Sequence, residues 1–123
     1  MSKFSKVGVI GSGSWATALV KIFSENDTEV LWFVKNLRAL KFIKRHGKNP
    51  KYLTNVKLDL DRISVHDDIN FIANNCEVFI LAIPSQYLEE SFTGLSVPIY
   101  KKIIFSGIKG IVHQHFLVTE YLN

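Results

Sequence analysis

Val7-Gly-Val-Ile-Gly-Ser-Gly-Ser-Trp-Ala-Thr-Ala-Leu19 is the stretch on which the fold turns. Val7–Ile10 is a short apolar run rich in β-branched residues that stops at Gly11, which predicts a buried strand. Beyond the glycines, Trp15, Ala18, Leu19, Ile22 and Phe23 fall at helical spacing and predict a helix with one apolar face. Between the two lies Gly11-Ser-Gly-Ser-Trp-Ala16, which fits G-x-G-x-x-[G/A]. In a strand-turn-helix context each of these positions has a physical role. Gly11 allows the tight turn, Gly13 lets a pyrophosphate approach the backbone, and Ala16 lets helix and strand pack closely. The free N–H groups and positive end of the helix then face the phosphates. The same glycines could simply close a βα turn; their placement favours dinucleotide binding.

The rest of the chain repeats the alternation. Glu29–Val34 reads as a second buried strand, and Leu37, Leu40 and Ile43 or Phe42 give the basic helix 36–47 an apolar stripe. Gly47–Leu60, with Pro50, reads as a loop with local structure. A strand at Ile63–Val65 and a short helix at Asp67–Asn74 follow, the acidic pair Asp67-Asp68 suiting a helix N-terminus. Glu77–Ile83 is the clearest buried strand; it stops at Pro84, and Ser85 is placed to cap a helix through Phe92. Lys102–Phe105 reads as a strand and the tail 114–122 as a helix. Continuously apolar strands alternating with helices imply an α/β fold, a Rossmann-like doubly wound, mainly parallel sheet with helices on both faces.

Charge adds detail to the motif. Fifteen Lys and Arg against eleven Asp and Glu give a net +4, but eight of the basic residues, and no acid, fall between Lys35 and Lys57. The remaining seven basic and eleven acidic residues leave a net −4 elsewhere. A carboxylate that would hold the ribose 2′-hydroxyl of NAD belongs at the end of the second strand, about 20 residues past the glycines. That strand ends Trp32-Phe-Val-Lys-Asn36, with no acid. Lys35, with Arg38 nearby, would instead welcome a 2′-phosphate, so NADPH is expected to bind at least as well as NADH. The basic band is read as a phosphate-attracting rim of the crevice rather than a nucleic-acid surface, Phe42 falling on the apolar stripe.

At 123 residues and 47% hydrophobic, the chain is one domain's worth and can bury a core. Cys76 is the single cysteine, which excludes an internal disulfide and suggests a reducing, cytoplasmic setting. It is read as a buried, inert thiol. No stretch approaches the roughly 18 apolar residues of a membrane span, and the first residues do not read as a signal peptide. His113 and His115 point apart on a helix and have no carboxylate or cysteine nearby, so no metal site is expected.

Several segments together carry a family resemblance: Val7–Leu19, Val30–Trp32, Asn49-Pro-Lys-Tyr-Leu53, Ala82-Ile-Pro-Ser-Gln86 and Lys109-Gly110. In order and spacing they resemble the NAD(P)-dependent glycerol-3-phosphate dehydrogenases, over essentially the whole chain. The resemblance implies reversible reduction of dihydroxyacetone phosphate to sn-glycerol 3-phosphate for glycerophospholipid synthesis. It places Gly11, Ser12, Gly13, Ser14 and Trp15 on the cofactor, Pro84, Ser85 and Gln86 in the same crevice near the nicotinamide, and Lys109 toward both cofactor and substrate. Where the family usually has glycine this chain has Ala16. Val34 replaces a common Arg or His, passing phosphate recognition to Lys35, and Lys48 rather than a histidine immediately precedes Asn49. The family's acid/base lysine lies on a helical second domain that these 123 residues do not include. The chain alone is therefore expected to bind cofactor weakly, not to turn over, and to dimerise through surface such a domain would cover. The alternatives are a stand-alone NAD(P)-binding regulatory module, and the nucleotide domain of a 3-hydroxyacid or 6-phosphogluconate-type dehydrogenase, against which Asn49–Leu53 argues.

Overall fold

A computed structural model describes residues 6–96 and 103–106 of the chain. Its elements alternate as expected: β1 (Lys6–Ile10), α1 (Ser14–Ser24), β2 (Glu29–Phe33), α2 (Leu37–His46), β3 (Ile63–His66), α3 (Ile69–Asn75), β4 (Val78–Leu81), a 3-10 turn at Ser85–Tyr87 running into α4 (Leu88–Ser91), and β5 (Ile103–Ser106). The five strands form one sheet in the order β3-β2-β1-β4-β5, every pair parallel. The chain winds one way from β1 through β2 to β3 and the other way to β4 and β5. The crevice between the carboxyl ends of β1 and β4 is thus the topological switch point, where open α/β sheets bind ligands.

Strand alternation splits the core in two. Val7 and Val9 of β1, Val30 and Trp32 of β2 and Val78 of β4 pack with Ala16, Val20, Leu40 and Ile43 of α1 and α2. Ile10, Leu31, Phe33, Phe79 and Leu81 pack with Ile69, Ile72 and Ala73 of α3, and with Phe92. Both faces of the sheet are therefore covered, which is why its strands are apolar throughout. Gly8, in mid-strand, lets α3 come close: a Cβ there would lie 2.7 Å from the Cys76 Sγ and 2.8 Å from the Ile72 Cγ2.

The helices begin and end as their sequences direct. Asn36 caps α2 by accepting from the Ala39 N–H, and Gly47 closes it in the left-handed region at φ +68°. Asp68 caps α3, accepting from the Asn70 and Phe71 N–H groups. Two apolar stripes differ from the spacing-based expectation. In α1 the buried residues are Ala16, Thr17, Val20 and Ser24, while Trp15 and Ile22 are exposed. A helix lying close on a sheet needs small residues at the contact, so the bulky ones turn to the flanks. In α2 Leu40 and Ile43 are buried, but Leu37 and Phe42 are exposed, and the Phe42 ring packs at a tilt against His46 rather than entering the core. The residues 107–123, with the expected C-terminal helix, lie outside the described part.

Candidate functional site

At the switch point a cleft of about 640 Å³ opens over the carboxyl ends of β1, β2 and β4. Its floor is the glycine turn. Gly11 sits at φ +125°, and a Cβ there would run into the Ala82 carbonyl oxygen and lie 2.6 Å from the Ile83 Cγ2. Only glycine lets the turn rest directly on the end of β4. The turn is held from the other side by Trp32, fully buried, whose Nε1–H donates to the Gly11 carbonyl oxygen at 2.6 Å.

Gly13 is different. It has an ordinary φ of −79°, and an added Cβ would meet nothing within 4 Å. It is the N-cap of α1 without providing a side-chain cap, and the first turn of that helix carries no acid. The N–H groups and the positive end of α1 thus open toward empty space over Gly13. An anionic group fits this place by both geometry and charge. The observed site therefore suits the pyrophosphate of a dinucleotide.

A buried asparagine fixes the turn to the long loop. Asn49 is 2% exposed, and its Nδ2 donates to the Ser12 carbonyl oxygen at 3.0 Å and to the Thr17 Oγ1 at 2.9 Å. Its Oδ1 accepts from the Lys51 N–H at 2.9 Å and the Tyr52 N–H at 3.1 Å. Thr17 in turn donates to the Gly13 carbonyl oxygen at 2.7 Å. Through this network the segment Asn49–Leu53 is docked against the glycine turn, and Tyr52 becomes a wall of the cleft. Phe33, Asn36, Tyr87 and Ile83 complete the apolar and polar walls.

Of the residues singled out by sequence, Gly11, Ser12, Gly13, Ser14, Trp15, Lys35 and Pro84 all line this one cleft. Trp15 is 56% exposed, so its indole stands at the mouth and not in the core. Ser85 opens the 3-10 turn, and Gln86 beside it is exposed, the adjoining wall being Tyr87. Lys109 lies outside the described residues, as do His113 and His115. Tyr87 and Glu90 are wall residues that no motif announces, and Tyr52 is announced only as part of Asn49–Leu53. Asn49 too is visible only within that motif, because its role is a set of hydrogen bonds across distant segments.

The basic band divides. Lys35 is its one member among the described residues lining the cleft, whereas Arg45 and Lys57 line a second, separate cleft of about 530 Å³ with Lys21, His46, Asp59 and Asp61. The band is therefore not a continuous rim of the glycine-turn crevice. Cys76 is buried, its Sγ–H donating to the Ile72 carbonyl oxygen at 3.0 Å. Among the described residues no group of three His, Cys, Asp or Glu could hold a metal ion, and no helix is long and apolar enough to cross a membrane.

Residues 6–123 match the family described as the N-terminus of NAD-dependent glycerol-3-phosphate dehydrogenase. The chain belongs to that family. A relative from Ectopseudomonas mendocina, named glycerol-3-phosphate dehydrogenase NAD(P)+, is 30% identical across 100% of this chain, which covers 36% of that protein. One of the same name from Staphylococcus haemolyticus is 34% identical over 91% of the chain and 34% of its own length. The chain thus spans about a third of these relatives. The solved structure of a glycerol-3-phosphate dehydrogenase from Saccharomyces cerevisiae matches 95% of this chain and 39% of its own, with a TM-score of 0.78 at 24% identity, which shows the shared fold. The family is one of oxidoreductases, and this chain corresponds to its NAD-binding N-terminal part.

Proposed function

We propose that this chain is the cofactor-holding domain of a dehydrogenase that reversibly reduces dihydroxyacetone phosphate to sn-glycerol 3-phosphate with NAD(P)H, supplying glycerophospholipid synthesis. The observation that carries the reading is the open space over Gly13 at the uncapped N-terminus of α1, set between the ends of β1 and β4. The chemistry such a cofactor supplies is hydride exchange with a carbonyl carbon. In this reading Ser12, Gly13 and Ser14 present main-chain donors to the pyrophosphate, Gly11, whose N–H donates to the Phe33 carbonyl oxygen at 3.4 Å, shapes the turn beneath it, and Trp15, Tyr52 and Tyr87 shield it from water. Lys35, at the end of β2, faces the adenosine ribose. Pro84, Ser85 and Gln86, after β4, border the nicotinamide half.

Reduction of a ketone also needs a proton donor for its oxygen. We assign none on residues 1–123. By family resemblance Lys109 polarises the substrate or meets its phosphate, and the proton-transferring lysine belongs to a helical domain outside these residues. The phosphorylated triose is the proposed small-molecule partner. Dimerisation and a cytoplasmic location belong to the same reading.

Titration of the chain with NADH and NADPH, followed by quenching of the fluorescence of Trp15 and Trp32, tests this. Saturable binding is expected, with no steady-state oxidation of NADPH in the presence of dihydroxyacetone phosphate. Gly13→Ala should weaken binding about tenfold or more while the thermal midpoint stays within about 2 °C, since its Cβ fills only the ligand's space. Absence of saturable binding to the unsubstituted chain overturns the reading.

A further inference from the structure

Among the described residues that line the cleft, Lys35 and Glu90 are the two charged side chains, and they are paired with each other. Lys35 follows β2; Glu90 comes from α4, on the far side of the switch point. The Lys35 Nζ lies 3.5 Å from the Glu90 Oε1 and donates to the Glu90 carbonyl oxygen at 2.8 Å. The pair spans the cleft where the sequence places the adenosine ribose. A 2′-phosphate arriving there would find its cation engaged and a carboxylate beside it.

We propose that Glu90 is a specificity-determining residue of this cleft: it provides from α4 the carboxylate that the end of β2 lacks, so the site favours NADH over NADPH despite Lys35. This rests on reading the cleft as a dinucleotide site and goes beyond it by naming what sets the choice between the two cofactors. A carboxylate in this position accepts a hydrogen bond from a ribose 2′-hydroxyl and repels a 2′-phosphate. Lys35 alone would do the reverse. The side chains are 50% and 66% exposed, so holding the ion pair together contributes little to stability. Its effect falls on the charged ligand that comes to rest against the pair.

The geometry also separates charge from structure. The second contact to Lys35 is made by the main-chain oxygen of Glu90, which survives any side-chain change. Glu90→Gln therefore removes the negative charge while leaving α4 and the hold on Lys35 in place.

The test measures NADH and NADPH dissociation constants for the full chain and for Glu90→Gln, Glu90→Asp and the double variant Lys35→Gln/Glu90→Gln. The unsubstituted chain should bind NADH more tightly than NADPH. Glu90→Gln should tighten NADPH by about fivefold to tenfold while NADH weakens or stays within about twofold; for an exposed charge, the gain should shrink at about 0.5 M salt. Glu90→Asp should keep the original preference, and the double variant should lose the NADPH gain. If both cofactors bind but Glu90→Gln leaves their ratio unchanged, or if the unsubstituted chain already prefers NADPH, Glu90 does not set the choice and the cleft reading stands. If neither cofactor binds any of the four proteins, both are overturned together.

Discussion

At Gly11 the backbone occupies φ +125° and an added Cβ would strike the Ala82 carbonyl oxygen, whereas at Gly13 φ is −79° and a Cβ would meet only open space. The two positions look equivalent in the motif and are not. Gly11→Ala combines backbone strain with collision against a strand end and should destabilise the fold by about 3 kcal/mol or more in chemical denaturation. Gly13→Ala should leave the denaturation midpoint nearly unmoved. His66 gives a second prediction at this scale. Its Nε2 lies 2.9 Å from the Ser64 Oγ and its ring packs at a tilt against Phe71. Partial burial, then Lys44, lowers its pKa, with Asp67 and Asp68 pulling the other way. Between the lowered folded value and the ordinary one near about 6.5, the unfolded chain binds more protons than the folded chain. This contribution to stability is therefore intact above about pH 6.5 and is lost as pH falls through the folded value. His66→Gln should flatten the decline in stability between about pH 7 and about pH 5, measured by urea unfolding at each pH.

Among the described residues the elements follow the sequence closely in order, since strands buried on both faces must be apolar without interruption and helices announce themselves by caps such as Asn36, Asp68 and Gly47. Which side of a helix is buried is less legible. Trp15 and Ile22 belong to a correctly spaced stripe in α1, yet the contact with the sheet is made by Ala16, Thr17, Val20 and Ser24 because distance favours small side chains there. The loop 47–60 shows the same limit. Asn49 sits in it with all of its hydrogen-bonding atoms spent on Ser12, Thr17, Lys51 and Tyr52. Asn49→Ala would leave two N–H groups and the Ser12 carbonyl oxygen without this partner, and should cost about 2 to 4 kcal/mol in unfolding experiments. It should also weaken dinucleotide binding at temperatures where the variant remains folded, because Tyr52 is no longer held against the glycine turn.

For the molecule as a whole, the cleft draws on five separate segments: the β1 turn, the end of β2, the loop at Tyr52, the end of β4 and α4. None forms a site alone, so a ligand that binds there binds only the folded chain. NADH at about 100 times its dissociation constant should then stabilise the fold by about 2.7 kcal/mol. For a domain of this size that corresponds to a rise in thermal midpoint on the order of 10 °C, read by circular dichroism. No rise at concentrations that saturate the fluorescence signal would place the binding elsewhere than in this cleft. Three exposed aromatic side chains, Trp15, Tyr52 and Tyr87, stand around its mouth. They offer faces on which a flat ring system could stack.

Sequence by itself determined the alternation of strands and helices, the glycine turn and its place at the end of β1, and the family, since these are local patterns set by periodicity, backbone freedom and residue size. Tertiary structure decided what depends on segments far apart in the chain meeting. It joined Trp32 to Gly11 and Asn49 to Ser12 and Thr17, and it put Lys35 of the basic band in one cleft and Arg45 and Lys57 in another. It also set Glu90 beside Lys35, although 55 positions separate them. The physical reason is that a charge or hydrogen bond acts over a few ångströms of space, and only the parallel sheet, by bringing the carboxyl ends of β1, β2 and β4 to one edge, determines which residues share that space.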